Sequence, residues 1–538
     1  MFAAVAASAW AQAPVVRSVQ NNYSNIVADL PNYGIAQGSI FFIKGSNLAP
    51  GTTSLQNVPL KATLNGVSIQ VTVNGITTSP LIYYLSATQI DAILPSGTPV
   101  GTGTITVGNN GLASAAAPIQ VVQSAFGLLT LNGAGTGMIA GFDANTNNSL
   151  VGVTAAANPG ESIVLWGSGL GPVANGVDES VSQTPADMSS TIRVEIGGVA
   201  AKVQYHGRSQ YPGLDQINVV VPAGLSGCAV SVAVTTGDYI SNFGTLPVAA
   251  GGRTCSDPTL GLTTAQLQGF LTSGTYSAGS ITLTKASTTG FSGISEGGLF
   301  IPGPTTTSES GGASFVKVAV SPSFDFSALA QSVSLGSCVV ATGAGSNAGF
   351  PTGIATTALN AGPKINVTSL GNTQSMTYAN GTYSMAVSGF VTAGTYTFDN
   401  AGGGTDVGTL STQLTVPAPL TWSNLQTINN ITNSSGVTVN WTGGDPTSYV
   451  TISGMSIGRG ASGSLYGYFK CTAAFSAGTF TVPATVLQAL PPSTVIEGAS
   501  ASRLTVTNTS KAQSFTATGI DQGFVQAAFA FSKEVTYR

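Results

Sequence analysis

Charge is what this chain has least of. Asp, Glu, Lys and Arg make up 7% of its 538 residues, against roughly 25% in an ordinary soluble protein, and the formal net charge is -4. Nucleic acid demands a concentrated Lys/Arg footprint, so no nucleic-acid partner is expected. Wetting falls instead to the hydroxyls and amides of Ser, Thr and Asn, a habit met more often outside cells than in cytosol. Histidine occurs once, as His206, and no CxxC spacing exists; a zinc site would lack its ligands. No stretch reaches the 18 or so uninterrupted apolar residues of a membrane helix. The length exceeds what one core usually serves and favours three to five domains.

The four cysteines are few for such a length, yet their even number suits pairing in an exported protein. Three connectivities are possible. Cys228 and Cys255 bracket one strand-turn-strand segment, so that pair is expected, which leaves Cys338 with Cys471. The first bond would close a loop worth roughly 3 kcal/mol on the chain-entropy model. The opening, MFAAVAASAWAQAPVV, is a short apolar run followed by Ala11-Gln12-Ala13, the small-x-small pattern read by signal peptidase. Residues 1–13 are therefore expected to be a signal peptide cleaved after Ala13. Its positive n-region is missing, and a leader beginning upstream would supply one; the alternative is an apolar element of the mature fold. An extracellular or cell-surface location is the corollary.

One phrase is written twice. GSIFFIKGSNLAP begins at Gly38 and GESIVLWGSGLGP at Gly160, pairing Gly45 with Gly167, Leu48 with Leu170 and Pro50 with Pro172 at a constant offset of 122. Further on, TQIDAILPSG and DQINVVVPAG pair Gln89 with Gln216 and Pro95 with Pro222 at offset 127. Between them, LNGVSIQV (64–71) matches IGGVAAKV (196–203) at offset 132. Ordered blocks with small indels mark a duplicated domain of about 100 residues. The blocks are short apolar or alternating runs, and Asn65-Gly66 and Asn110-Gly111 stand between such runs, where a two-residue hairpin needs positive φ. Helix-period patterns are almost absent. Short strands with turns every 8 to 12 residues predict immunoglobulin-type β-sandwiches, one over 14–123 and a second, with its connector, over 124–255.

The run G-x-x-(apolar)-x-(apolar)-x-G-x-N-L from Gly38 to Leu48 resembles the opening of IPT/TIG-type immunoglobulin-like domains; the second copy departs from it with Gly169 in place of the Asn. The pair of copies, joined by FGLLTLNGAGTGMIAGFDANTNNSLVG, is similar to a tandem domain of uncharacterised secreted proteins of acidobacteria. The resemblance covers about residues 30 to 250. It implies a fold and an extracellular setting and carries no catalytic residues.

After Cys255 the texture changes. SDPTLGLTTAQLQGFLTSG can hold one short helix, and strand-and-turn text resumes at GSITLTKAS. TVPAPLTW (415–422) reads as a boundary because two prolines break the ladder, giving β-rich domains over 256–417 and 418–538. A bond from Cys338 to Cys471 would cross that boundary, unless the boundary is misplaced.

Chemistry-bearing motifs are sparse. Gly454-Met455-Ser456-Ile457-Gly458 fits G-x-S-x-G, but the text after it is turn and strand, not helix, and His206 precedes it in another domain. Gly458-Arg459-Gly460-Ala461-Ser462-Gly463 fits G-x-G-x-x-G without the βαβ unit that dinucleotides need. Asp143, Asn145 and Asn147 have calcium-loop spacing with one carboxylate, where an Asx-rich turn is the simpler account. His206 and Asp215 could pair on a loop. Asp178-Glu179 and Asp445 have no partner at glycosidase spacing. Trp166, Trp422 and Trp441 lie in apolar strand runs, which favours core over a sugar platform. No cofactor, metal or catalytic residue is expected. The chain reads as a non-enzymatic, secreted or cell-surface protein for adhesion or ligand binding, with an extracellular protein or glycan as partner. The alternative is a carbohydrate-active or carbohydrate-binding accessory protein whose site lies in 256–538, to be told by a coplanar row of exposed aromatics there. A spacer or surface-layer role reads the same in sequence.

Overall fold

A computed structural model describes residues 12–53, 58–173, 178, 188, 190–256, 258, 259, 261–291, 302–321, 324, 325, 333–345, 354–461, 463–496 and 499–538. The expected signal peptide, apart from Gln12 and Ala13, lies outside them. The fold is all-β, and its first half consists of tandem immunoglobulin-like sandwiches.

The first sandwich faces a sheet of Val15–Asn21, Ile40–Ser46, Gln89–Ile93 and Leu81–Leu85 against one built on Ala117–Val122, Gly101–Asn109 and Val67–Val73. Period-two alternation decides which side chains meet: Val67, Ile69, Val71 and Val73 are buried while Gln70 between them is exposed, and they join Phe41, Ile43, Ile82 and Ile90 in one core. Each such side chain contributes about 1.5–3 kcal/mol by leaving water. At the hairpin tips Asn65-Gly66 and Asn110-Gly111 take φ of 48°/78° and 48°/85°, the left-handed pair that a type I′ turn requires.

The second sandwich has its own core, centred on Ile163, Leu165, Val194, Ile217, Val219 and Val232. The duplication holds down to register. Ile40 faces Ile93 in the first copy, and Ser162 faces Val220 in the second, each residue displaced by the offset read from the sequence. Even the short parallel contact repeats, Ile35 with Val121 and Ala157 with Val248. The middle block is a correction. Val67–Val73 pairs with Gly101–Asn109, and it is Ile192–Ile196 that pairs with Gly227–Thr236. Val199–Arg208, matched to Val67–Val71 at offset 132, instead runs beside Asp215–Val220, the place that Leu81–Leu85 holds in the first copy. Gly197-Gly198 thus answers to Asn74-Gly75, and the sequence match slipped by one hairpin because both hairpins read as x-Gly before an apolar strand.

Beyond Cys255, the expected short helix is Thr264–Ser273, opened by a capping box in which Thr263 Oγ1 accepts from the Gln266 backbone and the Gln266 side chain accepts from Thr263 N–H. The boundary at 417/418 is overturned. One sheet runs Cys338–Ala344, Gly463–Ala474, Tyr449–Gly460, Arg503–Thr509, Gln522–Glu534, Thr275–Phe291 and Pro302–Ala319, then continues through Thr382–Val387 to Ser411–Val416. Thr275–Phe291 lies parallel to Gln522–Glu534 over twelve paired positions, so segments on either side of 417 share a ladder. Two cores lie on this sheet. Trp422, Val439 and Trp441 of a small sheet pack on Val450, Ile452 and Val506; farther along, the sheet curls until Leu414 and Val416 meet Phe515 and Val525. The prolines around 417 end an edge strand, not a domain. No described helix is long and apolar enough to cross a membrane.

Candidate functional site

One ion pair joins the two sandwiches. Arg208 and Asp215, both buried, form an ion pair of 2.6 Å. Asp215 Oδ2 also accepts from Gly169 N–H and Leu170 N–H at 2.8 Å each, while Arg208 Nη2 donates to Gly38 O of the first copy at 2.9 Å. Beside it Ser168 Oγ accepts from Ile40 N–H at 2.8 Å and donates to Gly213 O at 2.6 Å. This accounts for Gly169: at φ of +118° a Cβ would sit 2.2 Å from Ala125 O, so the Asn of the first copy does not fit. Asp215 therefore belongs to Arg208; His206 faces Ile217 across the ladder.

The other singled-out residues are placed as follows. Asp143 caps a short turn, accepting from Asn145 N–H at 2.9 Å, and its second oxygen pairs with Arg253 at 3.0 Å; Asn145 accepts from Ser162 N–H. These carboxylate and amide oxygens are engaged by protein donors. Among the described residues no three His, Cys, Asp or Glu side chains gather at metal-binding distance. Ser456 lies in mid-strand, its hydroxyl donating to Pro491 O at 2.6 Å, and the 458–463 glycines close the hairpin to the next strand. Asp178 accepts from Ser96 N–H and Oγ; Glu179 lies outside the described residues. Asp445 binds Thr447 in a turn. Trp422 and Trp441 are core, with Trp441 Nε1 donating to Phe475 O at 2.8 Å, and Trp166 is half-buried in its strand. Cys228 bonds Cys255, and Cys338 bonds Cys471. The latter two stand opposite each other on neighbouring strands, so this bond staples the common ladder.

A concave site emerges on the other face of the long sheet. Where Ile281, Phe315, Val450, Ile452, Leu504 and Val506 point to the cores, alternation turns the intervening residues outward. Register then lines them up across strands: Thr472 opposite Thr451, Thr451 opposite Thr507, Lys470 opposite Ser453, Ser280 opposite Ser314. The result is a groove of about 540 Å³ in which nine of the described lining residues are Ser or Thr and none of those described is Asp or Glu. That volume lies within the roughly 300–1,000 Å³ of ligand pockets. Its rim is closed where Tyr449 Oη donates to Pro258 O at 3.3 Å and where Gly261 packs on the Phe524 ring.

Lys470 is the one ionisable amine among the described lining residues, and burial pushes its ammonium below the ordinary lysine value. Two residues along the same face of that strand stand Tyr468 and then Tyr466, both half-buried. Their rings are stacked, 6.4 Å apart with planes within 5°. This parallel, half-buried pair is not the coplanar row of exposed aromatics that would tell the carbohydrate-binding alternative; GSLYGYFKC shows period-two tyrosines, but only pairing reveals that they continue a hydroxyl-lined floor.

No family model and no curated protein matches the chain. Among solved structures, the Bacteroides ovatus mixed-linkage glucan utilization locus SGBP-B in complex with a mixed-linkage heptasaccharide is 13% identical, with 54% of this chain and 68% of that chain covered and a TM-score of 0.20. The N-terminal eight immunoglobulin domains of Down Syndrome Cell Adhesion Molecule are 10% identical over 94% and 60%, with a TM-score of 0.12. Domains 5-6 of the surface-layer protein SbsC are 12% identical over 44% and 98%, with a TM-score of 0.15. At such scores no functional reading follows from the likeness.

Proposed function

We propose that this chain is a non-enzymatic, exported binding protein, in which an IPT/TIG-like tandem pair holds the 256–538 body as a surface for adhesion or ligand capture outside the cell. The groove is the observation that carries it: a wide, hydroxyl-rich concavity with Lys470 as the one ammonium among its described lining residues is suited to holding a polar ligand, while Arg208, Asp215, Asp143, Arg253, Asp178 and Asp445 are engaged in ion pairs, caps and turns. Two disulfides in one chain suit an oxidising compartment. The second reading, a carbohydrate-binding accessory protein, is favoured by the Tyr466–Tyr468 pair beside that groove.

The test is a pull-down of purified residues 14–538 by insoluble polysaccharides and by intact bacterial cells, run with a reducing-sugar release assay. Retention without release is the expected result. Release of sugar, or retention on no surface at all, overturns the proposal.

A further inference from the structure

Three observations converge on strand Gly463–Ala474. The residues on one face of it, the half-buried Tyr466, Tyr468 and Lys470 and, at the inner end, the buried Thr472, form a line roughly 20 Å long at about 3.3 Å per residue. One end carries two parallel rings; the other enters the groove, where Lys470 and Thr472 join Thr451, Ser453 and Thr507. The groove offers hydroxyls that both donate and accept, with the Gln526 amide and the Phe524 ring opposite.

We propose that this line is a binding track for an extended saccharide chain, a deepening of the carbohydrate-binding reading on which it rests. A sugar ring presents an apolar C–H face and a rim of hydroxyls. The tyrosine pair matches the face, since flat aromatic surfaces accept C–H groups against their negative π-cloud. The Ser/Thr floor matches the rim, because each hydroxyl can serve as donor or acceptor without fixing the polarity of its partner. The track is long enough for several sugar units, so a monosaccharide would leave most of it empty. Among the described lining residues none carries a carboxylate and Lys470 carries an ammonium, which sets a charge preference: a uronic acid unit is drawn to the ammonium, whereas a cationic amino sugar is repelled by it.

The probes are cellohexaose, mannohexaose, hexagalacturonic acid and galacturonic acid, titrated calorimetrically into residues 14–538. Binding of a hexasaccharide at least tenfold tighter than the monosaccharide is expected. Tyr468→Ala and the near-isosteric pair Thr451→Val with Thr507→Val should each weaken it tenfold or more, and Lys470→Gln should weaken the uronate oligomer selectively. Unfolding midpoints of the variants confirm that they fold. If a hexasaccharide binds but these folded variants bind it as well as the parent, the track is wrong and the carbohydrate reading stands. If no probe binds the parent, both fall.

Discussion

Arg208 Nε lies 2.6 Å from Asp215 Oδ1 with both side chains buried, and the same guanidinium reaches back to Gly38 O in the preceding copy. The pair thus welds one sandwich to the next, and removing one partner strands the other charge away from water. Asp215→Asn should cost about 3–5 kcal/mol in chemical denaturation, while Arg208→Met with Asp215→Leu should cost less than that single change. An unchanged midpoint for Asp215→Asn would show that the weld contributes nothing.

Glu309 responds to acid. Burial works against its charge, but the Lys285 ammonium at 2.8 Å and the Val391 and Phe390 amide N–H groups outweigh it and hold the carboxyl below its usual range. A depressed folded value means stability that is present above the unfolded value of about 4.3 and lost as pH falls through the folded one. Melting curves from about pH 7 down to about pH 3 should show Glu309→Gln less stable than the parent near neutrality, with the gap closing in acid. Parallel curves would refute the assignment.

The duplicated strands differ where only one is covered. Gly101–Asn109 exposes Thr102 and Thr104 and half-buries Thr106, whereas the equivalent Ala229, Ser231 and Ala233 are buried. Ser334 Oγ and Ser337 Oγ accept from Ala229 N–H and Ser231 N–H there. Placing the first copy's residue in the second, Ala233→Thr, should overpack this junction by about 1–3 kcal/mol. The reverse exchange, Thr106→Ala, should stay within about 0.5–1 kcal/mol in the same urea titration.

Cys338–Cys471 spans 133 residues and Cys228–Cys255 spans 27. On the chain-entropy model their removal costs roughly 5 and roughly 3 kcal/mol respectively. Paired Cys→Ser variants, compared by thermal melting in oxidising buffer, should rank in that order. The reverse ranking would mean that contacts at the helix junction, where Cys228 and Cys255 pack on Leu267 and Phe270, dominate over loop closure.

Much of the molecule could be read without coordinates wherever local pattern suffices. The apolar–polar alternation of Val67–Val73 names its buried face, Asn65-Gly66 names its turn, and the repeated phrase around Gly45 and Gly167 names the copies, because each is decided by residues adjacent in the chain. Pairing partners are decided elsewhere. LNGVSIQV and IGGVAAKV look alike since any hairpin into an apolar strand looks so, and only the ladder tells which strand lies beside which.

The same reason governs the second half. Thr275–Phe291 finds Gln522–Glu534 across some 240 residues, a choice no local signal encodes, and it dissolves the division drawn at the prolines near 417. The groove follows suit: Thr451 and Thr507 are half-buried and Thr472 is buried, ordinary threonines in three separate strands until register sets them side by side. Composition and periodicity determined an all-β chain with little charge and two cross-links to make; tertiary structure alone decided how its sheets join, which small residues are buried and where a ligand-sized hollow opens, because those depend on long-range strand pairing whose free energy is shared over the whole ladder.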